Sequence, residues 1–294
     1  MVGQNSTRFD QSLPQASGAG VKPESYIGSG TLADRVELVV LDGVAEVRLN
    51  RPEKLNALDF ETFDLIVKAG HTLAAKEGLR AVVLSGNGRS FSVGIDLDAL
   101  AQGGTKILSN LAARTHGDAN LFQHVAMQWR ELPVPVIAAI QGHALGGGMQ
   151  LALGADIRIV APDARLSIRE IAWGLIPDMA GTVLLRQLVR TDVMRDLLFS
   201  GKIVSGEEAL ELGLATRLAA DPLTAARELA QEIASSSPDA VKAAKRLANA
   251  ATAGASDPDL LLAEAAEQQG LLASHNHREA LLAYAEKRLP VYRD

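Results

Sequence analysis

Residues 134–181, VPVIAAIQGHALGGGMQLALGADIRIVAPDARLSIREIAWGLIPDMAG, limit the possible fold more tightly than any other stretch of this chain. The apolar run 134–140 predicts a buried strand. A turn dense in glycine follows, with Gly142 and then Gly146, Gly147 and Gly148 in succession. Glycine in regular structure costs roughly 0.5–1 kcal/mol against alanine. A triple run between a strand and a helix therefore marks backbone that another group must approach closely. Three polar side chains stand on this apolar background: Gln150, Glu170 and Asp178.

The surrounding sequence reads as an α/β chain. RVELVVLDGVAEVRLN, residues 35–50, alternates apolar and polar positions on both sides of Asp42-Gly43, which predicts a β-hairpin. Asp59 suits the N-cap of a helix carrying Phe60, Phe63, Val67 and Leu73, and residues 81–84 read as the next buried strand. Residues 106–131 predict two helical pieces broken at Gly117-Asp118. Further on come a strand at 134–140, a short helix at 149–153, strands at 157–160 and 166–168, and a helix over 180–190. This alternation favours an α/β architecture with crossovers. From residue 191 only helices are expected: one opened by the Ser205/Glu208 capping box and closed at Gly213, then four rich in alanine and leucine. Three regions follow: a flexible leader at 1–30, a strand-containing core at 31–200 and a helical part at 201–294.

Composition serves mainly to exclude. The 294 residues are 47% hydrophobic and 22% charged, enough for a sizeable core, and the absence of cysteine rules out disulfides and thiolate chemistry. A net charge of −6 argues against a nucleic-acid surface, so an anionic ligand must be met by a local basic cluster. MVGQNSTRFDQSLPQ lacks an apolar signal core and no apolar run is long enough to span a membrane, which predicts no membrane partner and a cytoplasmic location. His143, His275 and His277 do not form a metal-ligand pattern, and no metal is expected.

The glycine turn is not a phosphate loop, because no Lys-Ser/Thr follows it. A helix starting near Gly147 presents free N–H groups and the positive end of its dipole. Such donors suit a carbonyl oxygen that gains charge during reaction. Close packing of the helix on a strand accounts for the glycines equally well. RSFSVGIDLDAL, residues 89–100, offers a second donor loop around Gly94, with Asp96 placed to cap the next helix; an ordinary β–α turn is the alternative.

LNRPEKLNALD, FSVGIDLDAL, PVPVIAAIQGHALGGGMQLALGADIRI and IREIAWGLIPDMAGT, in that order, and EKRLPVY near the C-terminus resemble the crotonase (enoyl-CoA hydratase/isomerase) superfamily over about residues 35–294. The resemblance implies a crotonase-like ββα spiral core, a C-terminal helical trimerisation region, and a homotrimer or dimer of trimers. It implies an acyl-CoA substrate and no further cofactor, since coenzyme A arrives as part of the substrate. The thioester carbonyl is expected between the backbone N–H groups of Ile95 and Gly147, an oxyanion hole. Arg51 and Lys54 are the local basic candidates for the coenzyme, with backbone contacts from Leu55 and Ala57. Lys287 is expected to join them from a neighbouring subunit.

The departures from the family pattern bear on the reaction. Family hydratases carry a glutamate where this chain has Gln150; the second glutamate, twenty residues on, is kept as Glu170; and a frequent glycine is replaced by Asp178. Hydration needs water activated by a carboxylate and a proton delivered to carbon. Gln150 can orient water but cannot carry that proton. Glu170, Asp178 and the GIDL of residues 94–97 resemble the dienoyl-CoA isomerase branch, although that branch has an aspartate where Gln150 stands. The expectation is therefore double-bond isomerisation with Glu170 as the acid–base. Hydration, or a catalytically weak acyl-CoA-binding protein, are the alternatives. Asp178 fits either a second acid or the cap of the helix near residue 180. On residue type alone, Glu170 also fits a surface loop, Gln150 a solvated helix position, and both Trp129 and Trp173 the core.

Overall fold

The computed structural model describes residues 30–32, 34–101 and 110–294. The expected leader lies outside them except for Gly30, which opens strand β1 (Gly30–Leu32). β2 (Val36–Leu41) and β3 (Val44–Leu49) pair antiparallel across Asp42-Gly43, both at positive φ, as a two-residue hairpin requires. β4 (Ala81–Gly86), β5 (Val136–Ile140), β7 (Ile157–Val160) and β10 (Arg217–Leu218) extend this sheet in parallel, giving the order β1-β2-β3-β4-β5-β7-β10. Every residue of β4 and β5 is buried, because helices cover both faces. On one face lie α1 (Phe60–Ala74) and α2 (Leu121–Glu131), with Phe63 and Phe122 meeting edge to face at 5.2 Å. On the other, α7 (Pro222–Ala234) packs Ala226, Leu229 and Ala230 against Val83, Ile137 and Ile159.

A small sheet, β6 (His143–Leu145), β8 (Arg165–Ser167) and β9 (Val204–Ser205), lies beside the large one. β5 hands the chain on to β6, and β7 to β8. The same step is made as single bridges after β4, at Ser92 on Ala144, and after β3, at Leu58 on Ile95. Strand, strand, helix thus repeats as a ββα spiral. One end of each turn lines up along the small sheet.

Three expectations change. Residues 102–109 lie outside the description, and α2 starts only at Leu121, capped by Asn120; Gly117-Asp118 sits in the tight turn before it. The helix foreseen over 180–190 is a short α4 (Gly181–Leu185), followed by α5 (Thr191–Ser200). The region after residue 200 is not helix alone: β9 and β10 complete the two sheets on either side of α6 (Gly206–Leu212), and α7 covers the large one. A boundary at 200 therefore cuts through one core.

α8 (Pro238–Ala253) is fastened by Lys245, whose buried ammonium donates to the carbonyls of Trp129 (3.0 Å) and Val134 (2.9 Å) and pairs with Asp156 at 2.7 Å. α9 (Asp257–Ala273) buries none of its residues, and α10 (His275–Glu286) buries only Asn276 and Ala283. Among the described residues no helix is long and apolar enough to cross a membrane.

Candidate active site

The site forms where the second strands of successive spiral turns end side by side. α3 (Gly147–Leu153) starts directly after β6, through Gly146 at φ +51. A methyl group at Gly148 would stand 2.5 Å from the Ser92 carbonyl oxygen, so the helix can lie on that strand only without a side chain. Leu58 N–H donates to the Gly94 carbonyl at 2.8 Å, and Asp96 N–H to the Leu58 carbonyl at 2.9 Å. That bridge uses one edge of the segment, so the N–H of Ile95 points off the other. A methyl group at Gly94 would stand 3.2 Å from the Gly147 nitrogen, and one at Gly147 would stand 3.8 Å from the Ile95 nitrogen. Two backbone N–H groups from different turns thus come together, and among the described residues no hydrogen bond uses either. Asp96 caps the helix that begins at Leu97, accepting from Asp98 and Ala99 N–H, as the sequence suggested.

A cavity of about 380 Å³ opens against these groups, lined by Ile95, Gly147 and Glu170 together with apolar Leu97, Leu100, Leu145 and Trp173. Glu170 sits in a short 3-10 turn, Glu170–Trp173, and is only 8% exposed, which removes the surface-loop reading. Its Oε1 accepts from Gln150 Nε2 at 2.6 Å, while its buried Oε2 has no partner among the described residues. Burial pushes the carboxyl above the ordinary glutamate value. Its own N–H and the Gln150 amide oppose that rise, and the Asp178 charge adds to it.

Gln150 is fully buried, not solvated. Its Oε1 accepts from Met179 N–H (2.8 Å) and Gly181 N–H (3.1 Å). These contacts serve the start of α4, so the cap reading of Asp178 is corrected. The residue at the N-cap is Ala180, at φ +64, and no side-chain cap bond forms there. Asp178 lies half-buried, outside the cavity lining but close enough to act on Glu170, and burial raises its own carboxyl. Trp173, expected in the core, is 61% exposed and lines the cavity; Trp129 is fully buried.

The coenzyme candidates fare differently. Arg51 turns into its own loop: its guanidinium pairs with Asp59 (3.2 Å) and Asp96 (3.1 Å) and donates to the Ala57 carbonyl (2.7 Å), while its buried Nε has no partner among the described residues. Lys54 is exposed and reaches Asp98 at 3.5 Å, beside the cavity wall at Leu97. The Leu55 carbonyl accepts from Val93 and that of Ala57 from Arg51, each keeping a second lone pair. Lys287 is exposed at the end of α10, and the cavity lining, drawn from residues 93–175, does not include it. Sequence reasoning missed Asn56, at φ +56, which accepts from Arg51 N–H and donates to the Asn87 and Ser90 carbonyls, tying the loop to the turn after β4. An asparagine in a loop, a residue type that enters the left-handed region readily, is the signal that marks it. For Trp173 the signal is REIAWGLIP, apolar without the period of a helix or a strand.

The enoyl-CoA hydratase/isomerase family model matches residues 40–294. A short-chain-enoyl-CoA hydratase from Clostridium acetobutylicum is 32% identical over 249 residues, covering 83% of this chain and 92% of the relative. A carnitinyl-CoA dehydratase from Proteus mirabilis is 32% identical over 268 residues, covering 89% and 99%. The solved enoyl-CoA hydratase from Bacillus anthracis superposes with a TM-score of 0.80 at 28% identity, covering 88% of this chain and 98% of that one.

Proposed function

The chain belongs to the enoyl-CoA hydratase/isomerase family, and from that premise we propose that it moves a double bond along an acyl-CoA chain, with Glu170 carrying the proton. The observation behind this reading is Glu170, which lines the cavity together with Ile95 and Gly147 and whose buried Oε2 has no hydrogen-bond partner among the described residues. With a 3-enoyl thioester, the Glu170 carboxylate takes a proton from C2. The electron pair passes into the carbonyl, and the resulting dienolate oxygen is held by the two N–H groups. The carboxylic acid so formed gives its proton to C4, the double bond settles between C2 and C3, and the carboxylate is restored. One oxyanion donor of this kind is worth about 2.7–4 kcal/mol. The rise of the Glu170 carboxyl brings its affinity for a proton closer to that of a carbon acid, which suits both halves of the transfer. Lys54 supplies positive charge for the coenzyme, and Lys287 adds to it from a neighbouring subunit of a homotrimer or a dimer of trimers.

A second reading is hydration or dehydration, favoured by the names of the relatives from Clostridium acetobutylicum and Proteus mirabilis. The two separate when purified protein is offered a dienoyl-CoA, a 3-enoyl-CoA and a 2-enoyl-CoA, with ultraviolet absorbance and deuterium uptake followed together. The expected outcome is a shifted double bond from one of the first two, faster than any water addition. Rapid conversion of the 2-enoyl substrate to 3-hydroxyacyl-CoA assigns hydration instead. Binding without turnover of any of the three leaves an acyl-CoA-binding protein.

A further inference from the structure

Gln150 stands in the middle of α3, fully buried, with no contact to the cavity, yet its amide uses both ends. Nε2 donates to Glu170 Oε1 at 2.6 Å, and Oε1 accepts from the N–H groups of Met179 and Gly181. Only this orientation of the amide works. Turned over, it would set N–H against N–H on one side and carbonyl against carboxylate on the other. The two backbone donors therefore fix which end of the amide meets Glu170. The space is equally tight: a methyl group at Gly181 would stand 2.7 Å from Gln150 Oε1, and one at Gly146 would stand 3.2 Å from Glu170 Oε1. Glu170 is thus held on one oxygen by a donor that cannot itself take up a proton, and its other oxygen is buried without a partner among the described residues.

We propose that Gln150 is a positioning residue that makes Glu170 a one-oxygen acid–base. The amide, braced by the Met179 and Gly181 N–H groups, occupies Oε1, so the proton is taken up and given back through Oε2 alone. This rests on the proposed role of Glu170. It goes further in assigning the proton to one oxygen and in making the 178–181 turn part of the support. A carboxylic acid in place of the amide offers a second proton carrier at 2.6 Å. An amide there removes that route, so the same oxygen must both collect and return the proton.

Two variants separate the functions of the amide. Gln150→Met removes both its donor and its acceptor. Gln150→Glu keeps an acceptor for the Met179 and Gly181 N–H groups, and with it the support of α4, but replaces the donor to Glu170. For Gln150→Met the expected result is a fall in kcat of roughly 100-fold, the size seen when a catalytic group is mispositioned, with KM changed much less. The rising limb of the pH profile should move to higher pH, because the hydrogen bond that favours the Glu170 carboxylate is gone. For Gln150→Glu the limb should also move up, as two carboxyls share one proton. An infrared titration of the Glu170 carboxyl, identified as the band absent from Glu170→Gln, reads the same shift without turnover. If the wild-type protein neither isomerises nor exchanges its substrate's protons, the proposed reaction fails, and the infrared titration still tests the placement of the proton. If both variants keep the wild-type pH limb and the wild-type carboxyl titration, Gln150 is packing and the proposal is overturned.

Discussion

Glu170 and Asp178 are both carboxylates raised by burial, but they stand in different relation to the cavity, and substitution separates them. Glu170→Gln keeps the shape and removes the proton carrier, so turnover and deuterium exchange should fall by about 10²–10⁴-fold. A smaller loss in the exchange assay removes Glu170 from the proton path. Asp178 lies outside the cavity lining and acts on Glu170 through its charge. Asp178→Asn should therefore keep most of kcat at neutral pH. With a negative neighbour gone, the Glu170 carboxyl drops, and the rising limb of the pH–rate profile moves to lower pH; an unmoved limb shows that the two groups are not coupled. The sequence made both residues visible as polar side chains on an apolar background, and the family resemblance supplied their candidate roles. It did not reveal that Gln150 holds one of them and also the turn beside the other, because that contact joins α3 to segments twenty and more residues away. The partners of Arg51 were hidden for a similar reason. A basic residue in a loop reads as a ligand for anions until the fold brings Asp59 and Asp96 onto it.

Elements with strong local signals match their sequence: the Asp42-Gly43 hairpin, the Asp59 cap of α1 and the Ser205/Glu208 capping box all form. What local signals cannot carry is docking, and Lys245 shows this for α8. It lies in an alanine-rich amphipathic helix and reads as a solvated charge, yet it closes two carbonyls and Asp156 in the interior. Breaking a buried pair leaves an uncompensated charge, at a cost of about 3–5 kcal/mol. Lys245→Met should lower the urea midpoint accordingly, and a midpoint within error of wild type would show that the pair is not held. A second element-scale device is the row of imidazoles from α1, α2 and the turn before α2, where His124 lies 5.6 Å from His71 and 4.8 Å from His116, ring centre to ring centre. Burial, then the charges of His116 and His71, hold His124 below its ordinary value of 6.5. The unfolded chain therefore binds the proton first as pH falls. The contribution of His124 to stability is complete above 6.5 and is lost as pH drops through the folded value. His124→Phe should flatten the fall in melting temperature between neutral and mildly acidic pH, and an unaltered slope would place the titration elsewhere.

At the scale of the whole molecule, the C-terminal helices are fixed to their own chain at one end and leave an apolar face uncovered. Arg80 pairs with Asp294 at 2.7 Å, Asn276 exchanges two hydrogen bonds with Arg293, and Glu279 accepts from Val291 N–H, so the tail pins α10 in a defined orientation. Beyond that anchor, Leu261 and Leu262 of α9 are 66% and 71% exposed, and Leu281 and Leu282 of α10 are 58% and 50% exposed. Burying a leucine yields about 1.5–3 kcal/mol, so four of them on two adjoining helices are the surface on which association with a second copy is tested. Each of these leucines is at least half exposed among the described residues, so charging them tests the assembly at limited cost to the fold. Leu262→Glu combined with Leu282→Glu should sediment as a smaller species than wild type, with an unchanged far-ultraviolet circular dichroism spectrum. Lys287, exposed on the same helical part and absent from the lining of its own cavity, is the residue by which a link between assembly and site is tested. If it serves a neighbour's coenzyme, Lys287→Ala should weaken acyl-CoA binding in the assembled protein. The doubly charged variant should show a loss at least as large, and adding Lys287→Ala to it should have no further effect. A double variant that sediments as wild type would exclude these leucines as the interface. A further loss on adding Lys287→Ala would place that lysine at its own subunit's site.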